Sequence, residues 1–148
     1  MHCASMRGCR RGACNEGVGA VIHRREIRVY YEDTDMAGIV YYANYLRFIE
    51  RARSDWVREV GIDQLAMKEA GVVFAVRRVE AEYIAPARLN DVLEVRTTLG
   101  SLSAAKMVMD QQVWCGDRLI FTASVLIVCI GAGGKPVRLP AECRLLQK

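Results

Sequence analysis

Histidine is nearly absent from this 148-residue chain, which holds only His2 and His23. A structural zinc site usually takes paired Cys and His ligands at short, regular spacings. The six cysteines show no such pairing, because Cys3, Cys9 and Cys14 lie near the start of the chain and the other three are scattered. We therefore expect no metal site and six reduced thiols.

Long apolar runs are also missing. No segment approaches the roughly 20 apolar residues that a membrane-spanning helix needs. The first residues, Met-His-Cys-Ala-Ser-Met-Arg-Gly-Cys-Arg-Arg-Gly, lack the apolar segment of a secretory signal. We expect no integral membrane segment and a cytoplasmic location.

Most of the chain lacks an excess of charge of either sign. The net charge is +4, but residues 26–148 hold 16 basic and 16 acidic side chains, and the excess lies in residues 1–25. A nucleic-acid-binding surface needs a basic stripe on the folded body. We therefore expect no nucleic-acid partner.

The length of the chain fits one compact domain. Residues 1–22 are rich in glycine and cysteine and show no hydrophobic periodicity. We expect a disordered N-terminal extension over residues 1–22, followed by a single domain over residues 23–148.

The hydrophobic pattern of that domain changes from strand to helix and back to strand. Alternation over Glu26–Tyr31 predicts a first strand. Helical spacing predicts one long helix, with Asn44 as its N-cap and Gly61 at its end, and a shorter helix over Asp63–Ala70. Four later strands are predicted over Val72–Ile84, Asp91–Leu99, Ala104–Trp114 and Arg118–Ile130.

The links between the later strands are short and rich in turn residues, which predicts an antiparallel meander. No helices alternate with these strands, so a doubly wound parallel sheet is excluded. We expect an α+β fold in which an antiparallel five-stranded sheet wraps around the long helix.

The segment from Val29 to Tyr45 has the features of a reactive site. It ends a strand near Asp35, continues through Gly38, which lets the backbone approach a ligand, and then begins a helix. A helix N-terminus carries partial positive charge and free amide donors. In isolation Asp33 and Asp35 would more often be turn formers than catalysts, but here a carboxylate and amide donors converge.

Four stretches carry a resemblance to a known family. They are Val-Tyr-Tyr-Glu-Asp-Thr-Asp, Gly-Ile-Val-Tyr-Tyr-Ala-Asn-Tyr, the helix run Glu50-Arg51-Ala52-Arg53 and the loop Glu82–Asp91. They resemble the Tol-Pal-associated acyl-CoA thioesterases and, more loosely, the 4-hydroxybenzoyl-CoA thioesterases. The resemblance runs from about Ile27 to Leu139. It implies the hotdog fold and hydrolysis of an acyl-CoA thioester at a site shared between two subunits, without a metal or organic cofactor.

Within that resemblance, Asp35 is the expected catalytic carboxylate, either attacking the thioester or activating a water. The backbone N–H of Tyr42 is expected to stabilise the oxyanion. Glu50 on the helix is the second candidate, or else a buried partner for an arginine. The residues expected to bind substrate, with the arginines contacting the CoA phosphates, are Gly38, Ile39, Val40, Tyr41, Asn44, Glu50, Arg77 and Arg88.

Tyr42 stands where Tol-Pal-associated members usually carry His and hydroxybenzoyl enzymes commonly carry Tyr. We expect short- to medium-chain aliphatic acyl-CoA as substrate, with aromatic acyl-CoA as the alternative. A module that binds acyl-CoA or acyl carrier protein without cleaving it is a second alternative. A dehydratase of the same fold would need a catalytic His, which residues 24–148 lack.

The last predicted strand is strongly apolar over Ser124–Ile130. A sheet covered by a helix on one face leaves another face or an edge to be covered. We therefore expect a homodimer or a homotetramer.

Overall fold

The computed structural model describes residues 21–147. Two α-helices are present in this part of the chain, α1 over Asn44–Glu59 and α2 over Gln64–Glu69. Short 3₁₀ turns cover Tyr31–Asp33, Ala132–Gly134 and Ala141–Gln147. The strands are β1 His23–Arg28, β2 Val73–Tyr83, β3 Val92–Leu102, β4 Lys106–Cys115, β5 Arg118–Ile130 and β6 Pro136–Val137.

The sheet is antiparallel and wraps around α1, which confirms the expected architecture. Alternate residues of β4 and β5, such as Met109 and Val125, face the helix and are fully buried. The helix buries Phe48, Ile49 and Ala52 against them, at the spacing of one helical face. Within residues 21–147, neither helix combines the length and apolar character needed to cross a membrane.

The strand order corrects the predicted meander. The order is β1-β3-β4-β5-β2, so β3, β4 and β5 follow one another, but β2 pairs with β5 rather than with β3. The link between β2 and β3 crosses the end of the sheet: the Ile84 N–H donates to Ile120 on one side, and the Asn90 N–H donates to Val29 on the other. Its turn residues had predicted that β2 and β3 pair with each other, because local sequence does not encode pairing between distant strands.

A sixth strand adds to the five expected. The two residues of β6 pair with Cys129 and Ile130 at the end of β5. Between them the chain turns back at Gly131, whose N–H donates to the Lys135 carbonyl at 2.8 Å. A strand of two residues is too short to produce a hydrophobic alternation, so periodicity could not predict it.

The expectation that every thiol is reduced needs one correction. Cys129 and Cys143 are free and buried, and burial raises the pKa of the Cys143 thiol to about 11. Cys115, in contrast, takes part in a disulfide. Disulfides depend on the approach of two Cβ atoms in space, which the spacing of cysteines does not reveal. The predicted extension over residues 1–22 lies almost wholly outside the described residues.

Candidate functional site

Asp35 begins a tight loop that returns at Ile39. The Asp35 N–H donates to the Ile39 carbonyl at 2.9 Å, and the Gly38 N–H donates to the Asp35 carbonyl at 3.0 Å. One carboxylate oxygen, Oδ1, accepts from the Ala37 N–H at 2.9 Å. The side chain is exposed, so its second oxygen faces open space. The loop thus fixes the direction of the carboxylate while leaving one oxygen available.

Gly38 is required by the backbone of this loop. Its φ of +76° is a left-handed conformation that side chains other than glycine adopt only with strain. No heavy atom lies within 4 Å of the position that a Cβ would take there. The space beside Gly38 is therefore open, as expected for a backbone that a ligand approaches.

Asp33 and Asn44 join this loop to the start of α1. The Asp33 side chain accepts from the Tyr30 N–H, and its carbonyl accepts from both the Tyr41 N–H and the Asn44 side chain. Asp33 is therefore a turn-forming residue. Asn44 was expected to cap α1, but Ala43 occupies the N-cap position and Asn44 is the first helical residue. Its amide instead anchors the helix to the preceding turn.

The loop between β2 and β3 completes the wall of the site. Ile39 forms a β-bridge with Arg88, and the Val40 N–H donates to the Ala87 carbonyl at 2.8 Å. The Arg88 N–H is itself held by the Asp91 carboxylate at 2.8 Å. The Arg88 side chain is exposed beside the Asp35 loop, where a negatively charged ligand could reach it.

The chain enters α1 with an amide group that has no protein partner. Among residues 21–147, none accepts a hydrogen bond from the Tyr42 N–H. The Tyr42 carbonyl accepts from the Tyr83 hydroxyl at 3.0 Å. A free N–H at the positive end of a helix dipole is a donor for developing negative charge.

Aromatic rings support this helix entry. The ring centroids of Tyr42 and Tyr83 lie 6.1 Å apart, and Tyr83 packs on Tyr45 and Phe121 at 5.6 Å and 5.0 Å. The Tyr45 hydroxyl accepts from the Ala87 N–H, and burial raises the pKa of this hydroxyl. Because Tyr45 is 3% exposed and Tyr42 is 62% exposed, the cluster reaches from the core to the surface of the site.

A second feature lies further along α1. A cavity of about 200 Å³ opens between the helix and the sheet, with an apolar floor that includes Met107, Met109 and Ile127. Its polar wall comes from Glu50, whose carboxylate accepts from the Ser54 hydroxyl at 2.9 Å. Glu50 is exposed, so it is not the buried partner of an arginine.

A buried polar network stands behind this cavity. Gln111 is 1% exposed. Its side-chain N–H groups donate to the Ile49 carbonyl and to the Thr97 hydroxyl, each at 2.9 Å. Its side-chain oxygen accepts from the Arg53 guanidinium at 2.9 Å. Burial lowers the pKa of the Arg53 guanidinium, and the nearby Glu50 charge opposes that shift. The network thereby fixes a cation at the cavity wall.

The expected site residues fall into two groups. The larger group surrounds the start of α1, and the second holds Glu50 at the cavity and Arg77 at a bulge in β2. Glu50 lies six residues beyond Asn44, the first residue of α1, or about 9 Å along the helix axis. The residues brought together at the start of α1 are Asp35, Gly38, Ile39, Val40, Tyr41, Tyr42, Asn44 and Arg88.

Sequence reasoning missed Tyr83, Arg53 and Gln111 as parts of this region. Gln111 did leave a signal, since it interrupts the apolar alternation of β4 at an inward position, opposite Thr97. Tyr83 left none, because its contact with Tyr42 joins residues 41 positions apart.

Comparisons with known proteins bear on the family and the fold of this chain. Residues 29–145 match the thioesterase-like superfamily. The chain is 40% identical over 114 residues to the acyl-CoA thioester hydrolase YbgC of Escherichia coli, which covers 76% of this chain and 85% of that protein. The crystal structure of a probable thioesterase from Bartonella henselae shares 36% identity with a TM-score of 0.77, covering 81% of this chain and all of the other (100%). A DHNA-CoA thioesterase from Staphylococcus aureus is similar at 26% identity and a TM-score of 0.76, covering 80% of each chain.

Proposed function

We propose that this chain, which belongs to the thioesterase-like superfamily and is a thioester hydrolase, cleaves acyl-CoA to a free acid and CoA. The observations that carry this proposal are an exposed Asp35 carboxylate oriented by the Ala37 N–H and, seven residues later, a Tyr42 N–H for which no residue in 21–147 is an acceptor. The likeness to acyl-CoA thioester hydrolases supports CoA as the thiol.

Asp35 acts on the thioester carbonyl in this proposal. Its oxygen not bonded to Ala37 either attacks the carbonyl carbon, giving a mixed anhydride that water then hydrolyses to the free acid and the Asp35 carboxylate, or removes a proton from an attacking water. The thiolate of CoA leaves without strong acid assistance. The carbonyl oxygen becomes negative in either route, and the Tyr42 N–H stabilises it.

The substrate acyl group extends into an apolar space, and we propose the cavity beside Glu50 for that role. In one protomer the cavity lies two turns of α1 away from Tyr42. In this proposal a second copy of the chain completes the site. The edge strand β2 supports this, because its Val73, Val76, Val79 and Tyr83 side chains are 37–49% exposed and could be covered by another chain. A soluble protein rarely leaves such an edge unpaired.

Two copies of β2 that pair antiparallel about their midpoint, near Arg78, form one continuous sheet. Residues Phe74–Val76 of one copy then lie beside the Tyr83 end of the other. That arrangement brings the cavity of one protomer toward the Asp35 loop of its partner. We propose a homodimer as the active unit, and a homotetramer if two dimers cover the apolar outer faces of their sheets.

Thiol release measured with a chromogenic disulfide reagent tests the activity. The panel contains short, medium and aromatic acyl-CoAs, with wild type, Asp35→Asn and the remote Asp117→Asn compared in parallel. Asn keeps the acceptor for the Ala37 N–H, so the loop should survive. We expect Asp35→Asn to lose about 10²- to 10⁴-fold in turnover and Asp117→Asn to lose none. Unchanged turnover in Asp35→Asn would disprove the catalytic assignment.

Mixed dimers test whether the site is shared. Ser54→Trp fills the cavity, and a dimer with one Asp35→Asn subunit and one Ser54→Trp subunit is isolated through two affinity tags. If the cavity serves the partner's Asp35, the open cavity of the Asp35→Asn subunit and the intact Asp35 of the Ser54→Trp subunit together form one complete site. The mixed dimer then has about half of wild-type turnover, since a two-fold dimer has two equivalent sites. If each cavity serves its own subunit, the mixed dimer stays inactive.

The acyl preference is proposed as short- to medium-chain aliphatic, because the cavity floor is apolar and its volume is small. Aromatic acyl-CoA is the second candidate, favoured by Tyr42 and by the likeness to the Staphylococcus aureus DHNA-CoA thioesterase. The substrate panel separates the two. Tight binding of acyl-CoA without thiol release would instead indicate a binding module.

Three further proposals do not depend on the geometry of the site. They are a cytoplasmic location, an association with the Tol-Pal system, and acyl carrier protein as an additional donor of acyl groups. Thiol release from acyl carrier protein thioesters, measured beside the matching acyl-CoA, tests the last of these.

A further inference from the structure

Tyr83 lies outside the motif that contains Asp35, yet it contacts the peptide group at the start of α1. It is the last residue of the edge strand β2. Its hydroxyl donates to the Tyr42 carbonyl at 3.0 Å. Within the described residues, no other group donates a hydrogen bond to that carbonyl.

This carbonyl belongs to the peptide group that also carries the N–H of Ala43. A hydrogen bond accepted by the oxygen polarises the peptide and strengthens its N–H as a donor. It also fixes the plane of this peptide and the direction of the Ala43 N–H, and it restrains the ψ angle of Tyr42, which joins this plane to the peptide that carries the Tyr42 N–H. The first turn needs such support, since the Ala43 N-cap offers no side-chain bond.

The ring of Tyr83 is held so that its hydroxyl can keep this contact. Phe121 and Tyr45 pack against it with centroids 5.0 Å and 5.6 Å away. Desolvation, with a smaller contribution from Tyr42, raises the pKa of the Tyr83 hydroxyl, so it stays protonated and remains a donor through neutral pH. A residue that only filled space would not need a hydroxyl at this position.

We propose that Tyr83 is a positioning residue for thioester hydrolysis, orienting the Tyr42–Ala43 peptide so that the amides at the start of α1 face the developing oxyanion. The inference rests on the proposed function, in which the Tyr42 N–H stabilises the developing oxyanion. It adds a requirement that the motif around Asp35 does not contain.

Tyr83→Phe tests this, because it removes one oxygen and keeps the ring. Tyr31→Phe is the matched control, since Tyr31 is 82% exposed and no hydroxyl contact of it occurs in the described part of the chain. We expect Tyr83→Phe to lower kcat roughly fivefold to tenfold, with KM within about twofold of wild type. Tyr31→Phe should change neither.

The amide proton of Ala43, observed by NMR, gives a second measurement that does not need activity. We expect its resonance to move upfield in Tyr83→Phe, because the peptide loses polarisation. An unchanged kcat together with an unmoved Ala43 resonance would overturn the inference. A raised KM at constant kcat would also overturn it, since Tyr83 would then only bind substrate. If wild type releases no thiol, the proposed function fails, and the Ala43 resonance still decides whether Tyr83 positions the peptide.

Discussion

The two edges of the sheet are finished in different ways. At one edge, β1 is tied to α1 by charged groups: Arg25 bonds Asp55, and His23 lies 3.1 Å from Glu59. At the other edge, β2 carries Arg77, Arg78, Glu80 and Glu82, but it also leaves apolar side chains exposed along the strand. Charge on an edge strand discourages pairing with another chain, whereas exposed apolar side chains favour it. The comparison supports the proposal that the β1 edge is complete within a protomer and that the β2 edge pairs with a second copy.

The largest effect is expected from charging the open edge. Val79→Asp places two carboxylates in a two-fold interface, and each must be desolvated beside the other. We expect self-association to weaken roughly a thousandfold and turnover to be lost with it. Analytical ultracentrifugation across a dilution series measures the first, and thiol release the second.

Val21→Asp is the control near the opposite edge. Val21 and Val79 are both 37% exposed, but Val21 lies two residues before β1, outside the strand. Val21→Asp should leave assembly and turnover unchanged. Equal dissociation of both variants would show that the two edges do not differ in the way proposed.

A substitution in the core between the two edges should lower the stability of the fold without changing the side chains of β1 or β2. Gln111→Met keeps the volume of the side chain but leaves Arg53, Thr97 and the Ile49 carbonyl without their partner. We expect the free energy of unfolding to fall by about 2–3 kcal/mol. Denaturant titration measures it, and assembly of the folded fraction should be normal. A change below about 0.5 kcal/mol would mean that these groups find other partners.

A substitution at the β1 edge should lower the free energy of unfolding without affecting assembly. Asp55 is 22% exposed in its side chain and bonds both Arg25 and Arg58. Asp55→Asn removes the charge from both bonds, and we expect a loss of about 1–2 kcal/mol in the free energy of unfolding. Sedimentation should still report the wild-type oligomer. Dissociation in this variant would contradict a closed edge.

The smallest effect is expected on the outer face beside β1. Glu94 bonds Arg24 and Arg96, but its side chain is 39% exposed. Exposed ion pairs contribute little and are screened by salt. Glu94→Gln should change the free energy of unfolding by about 0.5 kcal/mol or less, and the difference should vanish in about 1 M salt. A larger, salt-insensitive loss would show that this surface cluster is structurally important.

Local elements could be predicted from the sequence because they depend on nearby residues. The strand predicted over Arg118–Ile130 matches β5 residue for residue, and β2 differs from its prediction by one residue at each end. Gly100, in contrast, was interpreted as a turn, yet β3 continues through it. A Cβ there would lie 2.6 Å from the Asp110 carboxylate, so glycine serves a bulge in this strand.

Only the part of the site that lies in one continuous segment of the chain could be predicted from the sequence. Asp35, Gly38 and Tyr42 are close in sequence, and the pattern of turn, glycine and helix start identified them. The cavity, the Gln111 network and Tyr83 combine residues from distant elements. The contact of Tyr83 with Tyr42 follows from the position of β2 at the sheet edge, which the turn-rich link of residues 84–91 did not reveal. The Gln111 network depends instead on how α1 packs on β3 and β4.

The bulge at Arg77 has a consequence for how this gene tolerates insertions and deletions. Val76 pairs with Ile127 and Arg78 with Leu126, so Arg77 is an extra residue in β2. Because Val76 and Arg78 face consecutive residues of β5, loss of the Arg77 codon would remove the bulge and leave Tyr83 opposite Phe121. Insertion of one codon between Arg78 and Glu82 would instead place Glu82 opposite Phe121 and turn an acid toward the aromatic cluster. This strand therefore tolerates a change of length at Arg77 but not between Arg78 and Tyr83.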